Sequence, residues 1–181
     1  MSNDIPAWVN GVLQPVDKLL AHQQGLRHKA VSVFVMRGPQ TLIQRRALGK
    51  YHTPGLWANS CCTHPLWAET PEDCAVRRLR EELGLSGLRP TYLRRVEYRA
   101  DVGGGLTEHE VVDLFSVEAP PGVAPRPDAD EVMQTRWIGY DALRDEVARQ
   151  PDRFTPWLRI YLDLFGAAPP RAEVSAEARV P

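Results

Sequence analysis

The apolar and polar positions along the chain predict five strands, four of them in two hairpins. Residues 30–36 are rich in β-branched side chains and lead through a glycine-proline turn signal to a second apolar segment at 41–44. This pattern predicts an antiparallel pair. Residues 91–99 and 110–117 flank a run of three glycines and predict a second hairpin. A fifth strand is predicted at 132–138.

Residues 70–84 predict a helix with signals at both ends. Thr70 is a suitable N-cap, Pro71 occupies the first helical position, and Asp73 lies near the positive end of the helix dipole. Gly84 is the predicted C-cap. The apolar stripe of the helix consists of Ala75, Val76, Leu79 and Leu83.

The second half of the chain adds two predicted helices, at 140–150 and 154–165, after a proline-rich surface loop at 119–127. Strands followed by helices, with one helix between the hairpins, predict an α+β domain built as an α/β/α layered sandwich. We expect a single domain over residues 1–165, because the length suits one core. Residues 166–181 have almost no large apolar side chains and predict a disordered tail.

Composition narrows the class of protein. The chain has 22 basic and 23 acidic side chains, so it lacks the footprint of a nucleic-acid-binding protein, and any anionic ligand should be small. No apolar run is long enough to cross a bilayer, and the N-terminal residues lack the basic region and apolar core of a signal peptide. The sequence therefore predicts a cytoplasmic protein without a membrane partner. The cysteines, Cys61, Cys62 and Cys74, are odd in number and predict no disulfide framework.

A loop followed by a helix carries the strongest local signal. Residues 49–68 sustain no period and are crowded with Trp, His, Cys, Pro and Asn, a composition that favours a functional loop. From Thr63 onward, Glu69 is followed after seven residues by Arg-Arg-Leu-Arg-Glu-Glu-Leu-Gly-Leu. This segment resembles the Nudix box, a loop-helix motif that binds metal-complexed diphosphates.

Two positions depart from the Nudix pattern. Thr63 stands where the box usually has glycine, and Arg78 stands where it has a glutamate that a typical Nudix hydrolase uses in its metal site. A hydrolytic function is therefore disfavoured. On a helix, Arg78 and Glu82 share one face, so the carboxylate can hold Mg²⁺ while the guanidinium binds a phosphate oxygen. Ordinary surface ion pairs have the same spacing, so the neighbouring residues must decide between the two interpretations.

The loop before this helix resembles the active-site loop of the type I isopentenyl diphosphate isomerases, a family with the Nudix fold. The resemblance rests on residues 54–65, Pro-Gly-Leu-Trp-Ala-Asn-Ser-Cys-Cys-Thr-His-Pro, with a cysteine two residues before His-Pro. It implies a Nudix-like fold with a mixed and antiparallel sheet. It also implies that Cys62 is a catalytic acid or base, whereas Cys61 stands where other members carry a different residue.

The same resemblance implies two metal sites. Mg²⁺ would be held at Glu82 and Cys62, beside the diphosphate. A second divalent metal, Mn²⁺ or Zn²⁺, suits a set of three imidazoles and two carboxylates. The implied ligands of this second metal are His22, His28, His64, Glu108 and Glu110.

The spacing of these ligands gives two further expectations. Glu108 and Glu110 lie two apart on a predicted strand, so both carboxylates should point to one face of the sheet and His109 to the other. The linker between His22 and His28 is one residue shorter than in some members of the family. No role is assigned to the remaining histidine, at position 52.

The remaining matches to the isomerase family extend over most of the chain. The resemblance implies that Tyr98 lies near the second acid/base group and that Trp157 faces the hydrocarbon end of the substrate. Without it, an aromatic residue on a C-terminal helix would be assigned to the core. The implied diphosphate-binding residues are Lys18, Arg46, Lys50 and Arg78.

Together these residues predict an enzyme of early isoprenoid biosynthesis that interconverts isopentenyl and dimethylallyl diphosphate through a tertiary carbocation. Cys62 and Glu110 would transfer protons on opposite faces of the substrate, with Tyr98 on the proton path and Trp157 shielding the cation. Two alternatives stay open: a Nudix hydrolase that cleaves a diphosphate with an activated water, and a catalytically inactive Nudix-fold module that binds a diphosphate or a protein. The sequence carries no signal for an oligomeric state.

Overall fold

The structure, a computed structural model, describes residues 3–172. The strands are β1 (Asp4–Val9), β2 (Val12–Asp17), β3 (His28–Arg37), β4 (Gln40–Arg46), β5 (Trp57–Ala58), β6 (Cys61–Thr63), β7 (Thr91–Asp101), β8 (Thr107–Glu118) and β9 (Val132–Gly139). The helices are α1 (Lys18–Gln23), α2 (Pro71–Leu83), α3 (Tyr140–Arg149) and α4 (Pro156–Phe165), with a 3₁₀ turn at Pro151–Arg153. None of the described helices is long and apolar enough to cross a membrane.

The sheet is built around β3. One edge of β3 pairs in parallel with β8, from His28 opposite Glu110 to Met36 opposite Glu118. Three antiparallel partners share the other edge: β1 at its start, β6 in its middle and β4 at its end. A strand enclosed on both edges and both faces has to be apolar almost throughout, and all but two of the ten residues of β3 are buried.

The two faces of β3 contact separate apolar clusters. Val33 points to the side of α2 and packs in a cluster with Leu79. Phe34, the next residue, points to the opposite side and packs with Leu143 of α3 and Leu158 of α4. Helices therefore cover both faces of a mixed sheet, which confirms the predicted α+β layered sandwich.

Helix α2 begins and ends at the residues that the sequence predicts. The side-chain oxygen of Thr70 accepts a hydrogen bond from the backbone N–H of Asp73 at 3.1 Å. Gly84 adopts a left-handed conformation, with φ 65°, and its N–H donates to the carbonyl of Arg80. Both caps satisfy backbone groups that the helix leaves unpaired, so they define the position of its side chains.

The N-terminal segment is more ordered than the apolar pattern suggests. β1 and β2 form a hairpin whose turn contains Asn10, with φ 52°, and Gly11, with φ 80°. Asn-Gly between two apolar runs is a strong hairpin signal. The six-residue helix α1 follows directly, and Asp17 caps it by accepting from the N–H of Leu20 at 3.0 Å. This unpredicted unit carries two of the predicted site residues.

Other differences concern the lengths of elements. The aperiodic segment 49–68 contains two short strands, β5 and β6. β7 and β8 extend beyond their predicted ends, so Glu108 lies inside a strand. After α4, Arg171 donates to the carbonyl of Gly38. The predicted disordered tail covers 166–181, and its residues 173–181 lie outside the described part of the chain.

Replacing Gly84 by alanine should destabilise the protein more than the same change at Gly87. Both glycines have a positive φ, 65° and 78°, so each variant loses the ~1–2 kcal/mol by which this conformation is unfavourable for other residues. A Cβ at Gly84 would also lie 2.7 Å from the carbonyl oxygen of Arg126, whereas nothing lies within 4 Å of a Cβ at Gly87. Urea unfolding should show the larger loss for Gly84→Ala, and equal losses would contradict this steric account.

Candidate functional site

One cleft collects residues that are far apart in the sequence. Of the predicted site residues, only His22, His28 and Tyr98 are not part of its lining. Each of these three contacts Glu108 or Glu110, which do line the cleft. The residues that line the cleft are Lys18, Gln44, Arg46, Lys50, Tyr51, His52, Cys62, Thr63, His64, Arg78, Glu82, Glu108, Glu110, Glu131 and Trp157.

The hydrogen bonds of two buried histidines define which ring nitrogen is free. Nδ1 of His22 lies 2.6 Å from the carbonyl oxygen of Lys18, and Nδ1 of His28 lies 2.7 Å from that of Leu26. A carbonyl oxygen can only accept, so each Nδ1 carries the proton. In the neutral ring the Nε2 atom then carries a free lone pair, which is the arrangement that metal-binding histidines adopt.

These free nitrogens point at a carboxylate. Nε2 of His22 lies 3.0 Å, and Nε2 of His28 lies 3.4 Å, from Oε2 of Glu108. All three atoms are buried and lack a hydrogen-bond partner within the described residues. One ligand atom from each of these residues and from His64 lies within 4.8 Å of the others. Converging lone pairs repel one another unless a cation lies between them, so this group fits a divalent metal ion.

Glu110, the fifth predicted ligand, lies beside this group of four. Its Oε1 is 3.0 Å from Nε2 of His64 and 3.9 Å from Nε2 of His28, and its Oε2 accepts a hydrogen bond from the hydroxyl of Tyr98. Burial and the neighbouring carboxylate of Glu108 raise the pKa of Glu110 well above its ordinary value. Glu110 therefore retains a proton more readily than an ordinary carboxyl group.

Side chains alternate between the two faces of β8, so these two carboxylates lie on one face and the intervening histidine lies on the other. Glu108 and Glu110 are buried and point into the cleft, as the two-residue repeat of a strand requires. His109 points to the other face, where its Nε2 lies 3.6 Å from Glu97. The predicted orientation of all three side chains is confirmed.

Cys62 belongs to a closed hydrogen-bonded triangle. Its Sγ lies 3.0 Å from Oγ of Ser32 and donates to Oδ1 of Asn59 at 3.0 Å, while Nδ2 of Asn59 donates to Ser32 at 2.8 Å. Burial raises the pKa of Cys62 well above that of an ordinary thiol, although the hydrogen bond with Ser32 opposes this effect. Cys62 thus holds its proton. The adjacent Cys61 is fully buried among apolar side chains on the other face of β6.

The mouth of the cleft is rich in positive charge. Arg78 forms the predicted pair with Glu82, with Nη2 of the guanidinium 2.8 Å from Oε1. Its Nη2 also lies 3.2 Å from Glu131, which pairs in addition with Lys50. Burial, and then the charges of Lys50 and Arg78, lower the pKa of Lys18 to about 8. A bound anion would relieve this repulsion among cations.

Arg46 and Trp157 connect the mouth to the interior. The guanidinium of Arg46 lies 5.3 Å from the ring centroid of Trp157 and donates to the carbonyl of His52 at 3.2 Å. Trp157 is only 2% exposed, yet it lines the cleft. The buried part of the cleft lining thus includes an aromatic face beside the carboxylates of Glu108 and Glu110.

Several residues of the site escape prediction from sequence. Ser32 lies in an apolar strand with no distinguishing motif. Asn59 lies in the loop that resembles the isomerase active-site loop, but the resemblance assigns it no role. Glu131 follows the proline-rich loop, where an acidic residue carries no signal of its own. His52 could have been singled out, because it lies in the aperiodic segment with the other candidate residues, but the sequence does not connect it to Glu108.

Replacing Asn59 by alanine should destabilise the fold. Asn59 is fully buried, and its side chain donates to Ser32 and to the carbonyl of Val33 while accepting from Cys62. We expect a loss of about 3 kcal/mol in the free energy of unfolding, the upper end of the penalty for unsatisfied buried groups. Denaturant unfolding provides the measurement. The exposed Gln134 on β9 is a control, since its replacement by alanine should change stability by less than about 0.5 kcal/mol.

If the two variants lost the same stability, the triangle around Cys62 would be energetically unimportant, and its ordering role would be contradicted.

The fold and the site define the class of protein. The NUDIX domain family matches residues 26–158. Among solved structures, the chain resembles a Deinococcus radiodurans protein with a TM-score of 0.67 and 15% identity, covering 87% of this chain and 96% of that one. It also resembles a MutT NUDIX hydrolase from Burkholderia pseudomallei, with a TM-score of 0.60 and 25% identity over 76% of this chain and 96% of that one. These likenesses establish a NUDIX fold.

Sequence relatives narrow the class further. An isopentenyl-diphosphate Delta-isomerase from Dinoroseobacter shibae is 67% identical over 162 residues, which is 90% of this chain and 92% of that protein. One from Rhodobacter capsulatus is 60% identical over 88% of this chain and 90% of that protein. The chain belongs to the isopentenyl-diphosphate Delta-isomerase family.

Proposed function

We propose that the protein interconverts isopentenyl diphosphate and dimethylallyl diphosphate, an early step in making isoprenoids. The observation that carries the proposal is that Cys62 and Glu110, two groups able to hold a proton, line one cleft with a cationic mouth. Family membership supports the same reaction, because the relatives at 60–67% identity are isopentenyl-diphosphate Delta-isomerases. Cytoplasmic location and the absence of nucleic-acid and membrane partners stay predictions.

The diphosphate group would bind at the mouth of the cleft. Guanidinium and ammonium groups form strong charge-assisted hydrogen bonds with phosphate oxygens. Glu82 would hold Mg²⁺ there, beside Cys62, since Mg²⁺ uses few protein carboxylates and completes its shell with water and substrate phosphate. The basic side chains in this role are Lys18, Arg46, Lys50 and Arg78.

The hydrocarbon end would reach the two proton-holding groups. A proton added to the terminal carbon of the double bond produces a tertiary carbocation, and loss of a different proton from the neighbouring methylene forms the new double bond. Cys62 and Glu110 would perform these two transfers, with Tyr98 hydrogen-bonded to Glu110. Because the reaction is reversible, the group that gives a proton in one direction receives it in the other.

Two features would protect the carbocation. The π face of Trp157 attracts positive charge, and its burial in the cleft places it away from bulk water. Cys62 is half-buried, and its contacts with Ser32 and Asn59 fix the position of its thiol in this pocket. Water that reached the cation would convert it to an alcohol, so a dry pocket favours isomerisation.

The histidine group would hold Mn²⁺ or Zn²⁺. His22, His28, His64 and Glu108 supply atoms that suit either ion, and Glu110 would complete the set. A cation at this position would supply a positive charge that determines how readily Glu110 releases its proton. The backbone carbonyls that accept from His22 and His28 would keep both rings oriented towards the ion.

Isomerisation in deuterated water tests the proposed reaction. Purified protein with isopentenyl diphosphate and Mg²⁺ should produce deuterium-labelled dimethylallyl diphosphate, measured by mass spectrometry and NMR. Release of inorganic phosphate or pyrophosphate in place of this product would indicate a hydrolase and refute the proposal. A protein with both metal sites loaded that formed no product would refute it as well.

Two cysteine variants separate chemistry from packing. Cys62→Ala should lose at least about 10²-fold in kcat, the lower end of the usual contribution of acid-base catalysis. Cys61→Ala, the matched control, should retain activity, because this side chain packs in the apolar cluster under α2. Circular dichroism should show both variants folded. Full activity of Cys62→Ala would exclude Cys62 from proton transfer.

Glu108→Gln tests the histidine metal site independently of activity. In the wild type, Mn²⁺ at about 100 times its Kd should add about 2.7 kcal/mol to the free energy of unfolding by mass action. The variant should lose most of this gain, because glutamine provides no charge to balance the ion. Thermal unfolding with Mn²⁺ or with a chelator measures the difference. His109→Ala should behave as the wild type, and an undiminished gain in Glu108→Gln would contradict the site.

A further inference from the structure

His52 is a fourth buried imidazole at the metal group. The residue is 6% exposed, and its ring lies stacked on that of His22, with centroids 5.6 Å apart and planes inclined by 21°. Its Nε2 lies 3.2 Å from Oε1 of Glu108. His52 is not among the four residues whose ligand atoms converge, so its contact with Glu108 needs a different explanation.

The surroundings of His52 permit the opposite roles for its two nitrogens. Nδ1 lies 3.3 Å from the hydroxyl oxygen of Thr53, a group that can donate, whereas Nδ1 of His22 faces a carbonyl that can only accept. Nδ1 of His52 is thus free to accept, and Nε2 is free to carry the proton. A protonated Nε2 facing Oε1 of Glu108 is attractive, while a bare nitrogen there would repel the carboxylate.

The two oxygens of Glu108 therefore face different partners. Oε2 faces the bare nitrogens of His22 and His28 at 3.0 and 3.4 Å, and Oε1 faces His52. A carboxylate with one oxygen held by a donor cannot rotate freely about its terminal bond. Outer hydrogen bonds of this kind orient metal ligands and increase metal affinity.

The loop holds His52 in this place at a cost in backbone energy. Thr53, a β-branched residue, has φ 46°, a conformation that costs about 1–3 kcal/mol and persists only where the surroundings enforce it. Arg46 donates to the carbonyl of His52, and the His52 ring packs edge-on against Trp157 with centroids 5.8 Å apart. The segment is thus anchored on both its backbone and its side chain.

We propose that His52 is a positioning residue that donates a hydrogen bond from Nε2 to Oε1 of Glu108 and thereby aims Oε2 at the metal. This inference rests on the histidine metal site proposed above. It assigns His52 no contact with the ion or with the substrate.

Metal affinity tests the proposal without reference to catalysis. Metal-free protein is titrated with Zn²⁺, and separately with Mn²⁺, in competition with a chelating fluorophore. His52→Ala should weaken binding about 10- to 100-fold, the usual effect of losing an outer hydrogen bond to a metal ligand. His52→Gln keeps a side-chain donor and should restore most of the affinity. His109→Ala, a histidine on the other face of β8, should bind as the wild type.

The outcomes distinguish this inference from the metal site itself. Wild-type affinity in His52→Ala would overturn the inference alone. Equal weakening in the alanine and glutamine variants would also overturn it, since the donated hydrogen bond would then be irrelevant. Failure of the wild type to bind either ion would overturn both the metal site and this inference. Thermal unfolding of the metal-free protein, measured with chelator present, detects a purely structural role. In that case His52→Ala would lower stability and leave metal affinity unchanged.

Discussion

The rest of the site depends on an arrangement that is unfavourable by itself: bare imidazole nitrogens buried against carboxylate oxygens. Nε2 atoms of His22 and His28 point at Glu108 within 3.4 Å, and no described residue donates a proton between them. Burial of such groups without compensation costs several kcal/mol. The sheet holds them together because each lies on or beside an enclosed strand, and a divalent cation would turn their repulsion into coordination.

Strand β3 makes this arrangement possible. Its first residue, His28, lies opposite Glu110 of β8 and beside β1, and its fifth, Ser32, lies opposite Cys62 of β6. The metal group and the Cys62 triangle are therefore attached to one rigid strand. Because both faces of β3 are packed by helices, side chains along it have little freedom. The cleft thus combines a fixed interior with a mouth formed by more solvated basic residues.

Rules that relate neighbouring residues to helix caps and strand alternation correctly predicted the features that depend only on nearby sequence. The caps of α2 at Thr70 and Gly84, and the shared face of Glu108 and Glu110, follow from backbone geometry and are as expected. The Asn10-Gly11 turn is equally local, but no element is predicted from the sequence in this N-terminal segment. The predicted site residues meet in one place, but their grouping came from resemblance to a family.

The contacts that escaped prediction join residues with no sequence relationship. Ser32 and Cys62 are 30 residues apart, and Glu131 reaches Arg78 across 53 residues. Nothing in the neighbours of Glu131 distinguishes it from a solvated acidic residue, since the fold alone brings it to the cations. His52 illustrates the same limit, because a hydrogen-bond partner of a metal ligand is recognisable only when both side chains are seen together.

The most direct measurement is anomalous diffraction from crystals of the protein loaded with Mn²⁺, recorded on both sides of the manganese absorption edge. The account predicts a strong peak within about 2.0–2.4 Å of Nε2 of His22, His28 and His64 and of a carboxylate oxygen of Glu108. A fully loaded crystal in which manganese lies elsewhere, with these nitrogens still uncoordinated, would contradict it.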